Sequence, residues 1–299
     1  MAEIDVSIII VNYNTFDLTC KCIGTVIQYT KGISYEIILV DNASAECDAD
    51  LFLKKFPTIK LIKNSVNLGF TGGNNIGIEN ADGKYILLLN SDTELTEDSI
   101  SKCYDVIRKD NRMGIVSCKL LSPNGDIQSQ CQRFPSIWLK LIELFRIHKL
   151  IPQPKRGQLL GDSFYDHNLS GNVEAVWGTF FMFPVTILQH FIDNKLPGTF
   201  FMYGEDYEWC YAIKKAGYTI YYNATTSIIH HLGASSKLSV LEHKDQNGYI
   251  FVVKNYGWLY AKIWIFLRGV LYLTQSGRHE YARDVARLSF KLFAKGNVQ

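Results

Sequence analysis

The sequence predicts an α/β fold: a mainly parallel sheet with helices on both faces. Two observations carry this expectation. Short apolar runs rich in β-branched residues recur along the first 120 residues, and helical stretches separate them. Three of these strand segments run out into the polar residues Asn12, Asp41 and Asp92. In open α/β sheets ligands gather beyond the C-terminal strand ends, so residues far apart in sequence are expected in one cleft.

The elements follow in order. Val6 to Val11 has the composition of a buried parallel strand and ends at Asn12 to Thr15. A helix is expected from Asp17 to Tyr29, a strand from Tyr35 to Val40, a helix from Asp48 to Lys55 and a strand from Ile59 to Lys63. Gly69 to Asn75 is expected to be a glycine-rich bend before another short helix. Tyr85 to Leu89 forms the fourth strand, Thr96 to Lys109 a helix capped by Thr96, and Gly114 to Lys119 the fifth strand. The pattern then loosens. Pro123 to Asp126 is a turn, Pro152 to Gly157 a polar loop, and Val176 to Pro184 an apolar, aromatic stretch around Gly178. Tyr207 to Ala216 has a helical pattern stopped by Gly217, and two short strands are expected at Thr219 to Tyr222 and Ser227 to Ile229.

The chain has 299 residues, 47% of them hydrophobic, enough to bury a core without disulfides. A net charge of +2 gives no nucleic-acid signature. The charge is uneven, however. Residues 236–299 hold ten Lys and Arg against four Asp and Glu, which leaves the first 235 at −4. Seven scattered cysteines form no disulfide framework and no CxxC pair, so reduced cytosolic thiols are expected. The short apolar run at the start has no basic flank and does not have the pattern of a signal peptide. The longest apolar stretch, Tyr256 to Leu273, is interrupted by Lys262 and Arg268 and is too broken to span a membrane.

Asp92 follows the hydrophobic run YILLLNSDTEL. A carboxylate there can bind a divalent cation that bridges a diphosphate, or it can cap the next helix. Asp41, after EIILV, can accept a base N–H or a sugar hydroxyl, or form an Asx turn. The run from Asn67 to Asn75 allows close backbone approach, with Asn74 or Asn75 as polar contacts. It lacks both the GxGxxG and the GxxxxGK[ST] spacing, which disfavours hydride transfer and P-loop phosphotransfer. Glu205 and Asp206 stand before an amphipathic helix beside Phe200, Phe201, Tyr203 and Trp209, an arrangement suited to a general base as well as to a helix cap. Of the adjacent His230 and His231, one at most is expected as a ligand, because neighbours in a strand face opposite ways.

Together the segments VSIIIVNYN, EIILVDNAS, NLGFTGGNNIGI, YILLLNSDTEL, WGTFFMFP, FMYGEDYEWCYAIKKAGY and IIHHLGASS resemble family 2 glycosyltransferases with the GT-A fold. The particular look is that of rhamnosyltransferase-like members that build bacterial surface polysaccharides. The resemblance covers about residues 4–236. It implies a Rossmann-like nucleotide-sugar-binding half over 1–120, an acceptor-side and catalytic half of the same domain over 121–236, and a basic aromatic helical extension over 237–299.

The resemblance also implies roles. Asp92 matches the metal-binding acidic motif, with Ser91 where that subgroup often has proline, and Mg²⁺ or Mn²⁺ is the implied cofactor. Asp41 matches the residue on the pyrimidine base. Asn12, Asn14, Gly69, Gly73, Asn74, Asn75 and Ser91 would line the donor nucleotide. Asp206 matches the general base, with Glu205 beside it contacting donor or acceptor. His230 matches the histidine that helps hold metal or diphosphate, because the H-x-x-G-x-S register with Gly233 and Ser235 starts there. The implied reaction is inverting transfer of a sugar from a nucleoside diphosphate donor to a hydroxyl of a glycan or lipid-linked oligosaccharide. Deoxythymidine diphosphate rhamnose is the favoured donor, and UDP-glucose, UDP-galactose or an N-acetylated sugar are alternatives. A nucleotidyltransferase, a non-catalytic sugar- or nucleotide-binding protein and a donor hydrolase are the rival readings. The expected location is cytoplasmic. The extension, with Trp258, Tyr260, Trp264, Phe266, Arg268 and Tyr272, would rest on the anionic inner face of the membrane, or its aromatics would pack internally or against a second copy in a homodimer.

Overall fold

The computed structural model describes residues 3–231, 237–275 and 280–295, the side chains of 237–240 apart. The chain divides into two compact units. One comprises residues 1–132 and 166–233, the other residues 133–165 and 234–299. The segment 133–165 therefore groups with the C-terminal extension.

The first unit is built on a nine-stranded sheet. Its elements are β1 (Val6–Asn12), α1 (Phe16–Tyr29), β2 (Tyr35–Asp41), α2 (Asp50–Lys55), β3 (Lys60–Lys63), α3 (Gly69–Glu79), β4 (Tyr85–Asn90), β5 (Thr93–Leu95), α4 (Ser99–Ile107) and β6 (Met113–Leu121). The second unit opens with α5 (Ile137–Leu144) and α6 (Lys155–Leu160). The first unit then continues with β7 (Gly171–Val173), β8 (Phe180–Pro184), α7 (Glu205–Lys215) and β9 (Thr219–His230). The second unit ends with α8 (Lys237–Tyr256), α9 (Trp258–Leu273) and α10 (Glu280–Ala294).

The strand order is β3-β2-β1-β4-β8-β6-β9-β5, with β7 also pairing β9. β1, β2, β3 and β4 are mutually parallel. β8 is antiparallel to both β4 and β6, so β6 and its parallel partner β9 run in the direction of β1. The expected mainly parallel sheet with helices on both faces is present. Alternate residues of each strand serve opposite faces. Ile8 and Ile10 pack with Cys22, Ile23 and Val26 of α1, Phe52 of α2 and Ile100, Cys103 and Ile107 of α4. On the other face α3 lies against Ile9 and Val11, and the α7 ring of Trp209 meets Phe181 of β8 at 5.6 Å.

Three local expectations change. The glycine run is not a bend before a helix; it forms the first turns of α3. A Cβ on Gly73 would lie 2.8 Å from Val11 Cγ1, and one on Gly77 would overlap Ile9. Close approach of helix to strand therefore outweighs the poor helix propensity of glycine. Thr96 does not cap α4. Thr93–Leu95 pairs with β9 as β5, and Asp98 caps the helix by accepting from the Ser101 N–H at 3.2 Å. The two short strands near residue 220 are one strand, β9, carried past a register irregularity where Cys118 gives way to Lys119. None of the seven cysteines is in a disulfide, and burial pushes the Cys22 thiol up to about 12.

Replacing Gly77 with Ala should lower stability by about 1–3 kcal/mol through overpacking against Ile9. Gly24→Ala in α1, where nothing lies within 4 Å, should raise it by about 0.5–1 kcal/mol. Urea transitions of the two variants check the pair.

Candidate active site

The parallel register aligns the strand ends. Asn12 pairs with Asp41 across β1 and β2, and Val11 pairs with Asn90 across β1 and β4. β8 runs the other way, so the start of β8 lies at this same edge. Leu89 pairs with Phe180, and the Asn90 N–H donates to the Thr179 carbonyl at 3.0 Å. One residue earlier, the Gly178 N–H donates to Asp206 Oδ2 at 3.4 Å. His230 ends β9 and pairs with Thr93, next to Asp92. One edge thus collects Asn12, Asp41, Asp92, Asp206 and His230, drawn from five parts of the sequence.

Asp92 and His230 form a pair. The imidazole Nε2 stands 3.4 Å from Asp92 Oδ1, and the Asp92 carbonyl accepts the His231 N–H at 2.8 Å. Sequence reasoning missed Gln128, which sets the histidine's tautomer. Its Nε2 donates to the His230 carbonyl at 2.9 Å, and this turns its Oε1 to His230 Nδ1 at 2.7 Å. Nδ1 is then the protonated nitrogen, assigned from this network, and in the neutral ring the Nε2 lone pair faces the Asp92 carboxylate. Two acceptors aimed at each other across a largely buried gap suit a cation between them. Among the described residues no group of three His, Cys, Asp or Glu could hold a metal ion. Asp92 and His230 are the two side chains of this edge that would hold an ion whose shell is completed by phosphate oxygens and water.

His231 diverges from His230, as adjacent strand residues should. It bonds to Glu94, which also pairs with Lys21 at 2.7 Å. Burial works to raise the Glu94 carboxyl, but Lys21 and His231 outweigh it and leave it below the usual range. Gly233 and Ser235, the rest of the expected motif, lie outside the described residues.

The asparagines expected to line a nucleotide are largely taken up inside the protein. Asn12 is buried. Its amide donates to Asp41 Oδ1 at 2.8 Å and Ser44 Oγ at 3.0 Å, and its carbonyl accepts from Thr15 and Thr19. With four bonds its capacity is full, so its side chain positions Asp41 and has no bond left for a ligand. Asn74 bonds back to the Phe70 carbonyl, and Asn75 clasps both backbone groups of Leu196 at 3.0 Å. Gly73 serves the packing of α3 on β1. Asn14 is exposed, with φ 54°; its carbonyl accepts the Ala45 N–H and ties the β1 and β2 ends together. Ser91 Oγ lies 3.2 Å from Thr15 Oγ1.

Asp41 keeps both possibilities. Its Oδ2 accepts the Ser44 N–H at 3.2 Å in an Asx-type turn, and its Oδ1 holds Asn12. Asn42, also missed, is a hub for the loop that follows β3. Its side chain donates to Asn67 Oδ1 and the Gly69 carbonyl and accepts from Asn64 and the Leu68 N–H. Gly69 has φ +73° and abuts Phe201, whose carbonyl accepts the Phe70 N–H at 3.0 Å. The start of α3 and the segment before α7 are therefore in direct contact.

That segment has Tyr203 and Gly204 both at positive φ, 66° and 104°. A tyrosine there is strained. The two residues turn the chain sharply into α7 and set Glu205 and Asp206 in its first turn. Asp206 Oδ1 accepts its neighbour's N–H from Tyr207 at 2.8 Å. Glu205 is buried. Glu208 is structural: it receives the Thr199 N–H at 3.1 Å and its hydroxyl at 2.5 Å. The shielding aromatics divide. Phe200 and Trp209 are buried, with Trp209 stacked on Phe70 at 5.9 Å, whereas Phe201 is exposed.

A family model described as "Glycosyl transferase family 2" matches residues 7–191. A poly(ribitol-phosphate) beta-glucosyltransferase of Bacillus spizizenii is 33% identical over 125 residues, 40% of this chain and 20% of that protein. A low-salt glycan biosynthesis hexosyltransferase of Haloferax volcanii is 27% identical over 235 residues, 76% of this chain and 67% of that protein. The chain thus spans a fifth of the first relative's length. The crystal structure of residues 1–349 of S. aureus TarS is similar in fold, with a TM-score of 0.54 at 14% identity, covering 97% of this chain and 90% of that one.

Asn42→Ala removes four hydrogen bonds made by a buried side chain and should lower stability by about 2–4 kcal/mol in urea unfolding. The family model covers more than half of the chain, and the chain belongs to glycosyl transferase family 2.

Proposed function

We propose that the protein transfers a hexosyl group, with inversion, from a nucleoside diphosphate sugar to a hydroxyl of a glycan or lipid-linked glycan. The observation that carries this reading is the convergence of Asp92, His230 and Asp206 at one sheet edge, linked through Asn90, Thr179 and Gly178. The relatives named as a beta-glucosyltransferase and a hexosyltransferase support hexosyl transfer. The resemblance of the motifs favours L-rhamnose from dTDP-rhamnose.

Asp206 takes the proton of the acceptor hydroxyl. The oxygen's electron pair forms the new bond to the anomeric carbon, and the bond to the diphosphate oxygen breaks on the opposite face. The products are glycoside and nucleoside diphosphate, and the proton rests on Asp206. Asp92 and His230 would hold Mg²⁺ or Mn²⁺, which when bound supplies positive charge to the leaving diphosphate. Asp41, fixed by Asn12, is placed to accept from the base or ribose of the donor. Asn14 and Ser91 stand at the strand-end loops beside it. Glu205, buried in the first turn of α7, is the neighbouring carboxylate proposed to contact donor or acceptor. Holding donor and acceptor together lowers the entropic barrier. The proposed location is the cytoplasm, at the inner face of the cell membrane; no described helix is long and apolar enough to cross a membrane.

A panel of nucleotide sugars beginning with dTDP-rhamnose, assayed for nucleoside diphosphate release with glycan acceptors, tests the reaction. Pyrophosphate release would replace it with nucleotidyl transfer. Asp206→Asn should slow transfer by about 10²–10⁴-fold with donor affinity retained in calorimetry. Asp92→Asn should weaken nucleoside diphosphate binding in the presence of Mn²⁺ and leave the metal-free affinity unchanged.

A further inference from the structure

The second unit uses several of its basic and aromatic residues internally. Arg268 is held bidentately by Asp245 at 2.7 and 2.9 Å and bonds to Ser289 at 2.9 Å. The Lys262 ammonium caps α10 through the carbonyls of Leu292, Phe293 and Lys295, and lies over the rings of Tyr249, Trp258 and Phe293. Trp264 is buried, and the Tyr260 hydroxyl accepts the Ile137 N–H. Four of the residues expected to meet a membrane, Tyr260, Trp264, Arg268 and the partly buried Tyr272, are therefore committed to this unit's own packing.

A different surface remains. On α9, Leu259, Ile263, Phe266 and Leu273 are exposed, Leu259 at 66%. Their spacing of four, three and seven residues puts them on one helix face. On α10, Arg283, Arg287 and Lys291 are exposed at four-residue intervals and none makes an ion pair among the described residues; Glu280 and Asp284 share the first turns of the same face, so the basic excess lies toward the end of the helix, at Arg287, Lys291 and the exposed Lys295. The two stripes are contiguous. Phe266 packs on Phe290 at 6.1 Å and on Phe293 at 5.3 Å, and Gly269 lies under the Phe290 ring. Phe290 occupies the helical position next to Arg283 and Arg287. An apolar ridge thus borders a row of unpaired cations.

We infer that this α9–α10 face docks on a lipid bilayer surface carrying anionic headgroups. The chemistry is complementary on both counts: the leucine, isoleucine and phenylalanine stripe enters the headgroup boundary, and the arginine and lysine row meets negative charge. The inference is independent of the proposed reaction.

The test is co-sedimentation of the full 299-residue chain with vesicles. Vesicles of phosphatidylcholine and phosphatidylglycerol in equal parts should bind it, and vesicles of phosphatidylcholine alone should not. Raising salt should release the unmodified protein. The triple variant Arg283→Glu, Arg287→Glu, Lys291→Glu should lower partitioning by about a hundredfold or more. Leu259→Ser with Ile263→Ser should lower it by about tenfold or more. All five positions are exposed, and unchanged thermal melts confirm folding. Equal binding to both vesicle types, binding to neither, salt-resistant binding or unaltered sedimentation of either variant overturns the inference. So does a dimer that the Leu259 and Ile263 substitutions dissolve while no vesicle binding is seen.

Discussion

The site depends on the register of β1 between β2 and β4. Seven consecutive pairs bring Asn12 opposite Asp41, and six bring Val11 opposite Asn90. A slip of one residue would turn Ile8 and Ile10 out of the face they share with α1, α2 and α4, and would move every strand end with them. The buried hydrogen bond from Asn12 to Asp41 locks the same register at its polar end. Burial and polar satisfaction therefore specify one alignment, and that alignment is what gathers distant residues at a single edge.

The sequence made the strands legible because burial on both faces demands continuous apolar runs, and IIIV, IILV and ILLL meet that demand locally. Asp92 and His230 were legible as chemical types at strand ends. The amides were not. Whether Asn12, Asn42, Asn74 or Asn75 faces a ligand or the protein depends on which backbone groups lie nearby in space. Asn75 answers to Leu196, 121 residues away, and nothing around position 75 encodes that. Gln128 is the same case, since it meets His230 across 102 residues. Glycine misled for a related reason. Locally it disfavours helix, but Gly73 and Gly77 are four apart, so both face β1 and their missing side chains let α3 approach it.

Charge is likewise divided by context and not by count. Residues 236–299 are basic as a whole, yet Arg268 and Lys262 face inward. One is paired with a buried carboxylate and the other caps a helix end, where a cation complements exposed carbonyls. Three exposed cations stand instead on α10, at a four-residue spacing that composition cannot reveal. The acidic residues of the first unit divide in the same way. Glu208 fastens Thr199, Asp98 caps α4 and Asp41 anchors its own turn, whereas Asp92 meets an imidazole.

Asp206 stands where structure and the proposed chemistry make the same demand. Its place in the first turn of α7 is favourable for a negative charge whatever its role. A helix start alone, however, does not require the turn that precedes it. Tyr203 in the left-handed region carries strain that a glycine would relieve, and Gly204 follows with a still larger φ. Gly178, whose N–H reaches Asp206, is hemmed by Phe70 and Trp209, so a side chain there would press on the stacked pair that supports α7. A turn that stores strain, a glycine in close contact and a stacked aromatic floor all fix the position of one carboxylate. Capping needs none of these, whereas proton transfer from a bound hydroxyl needs the acceptor oxygen held within a few tenths of an ångström.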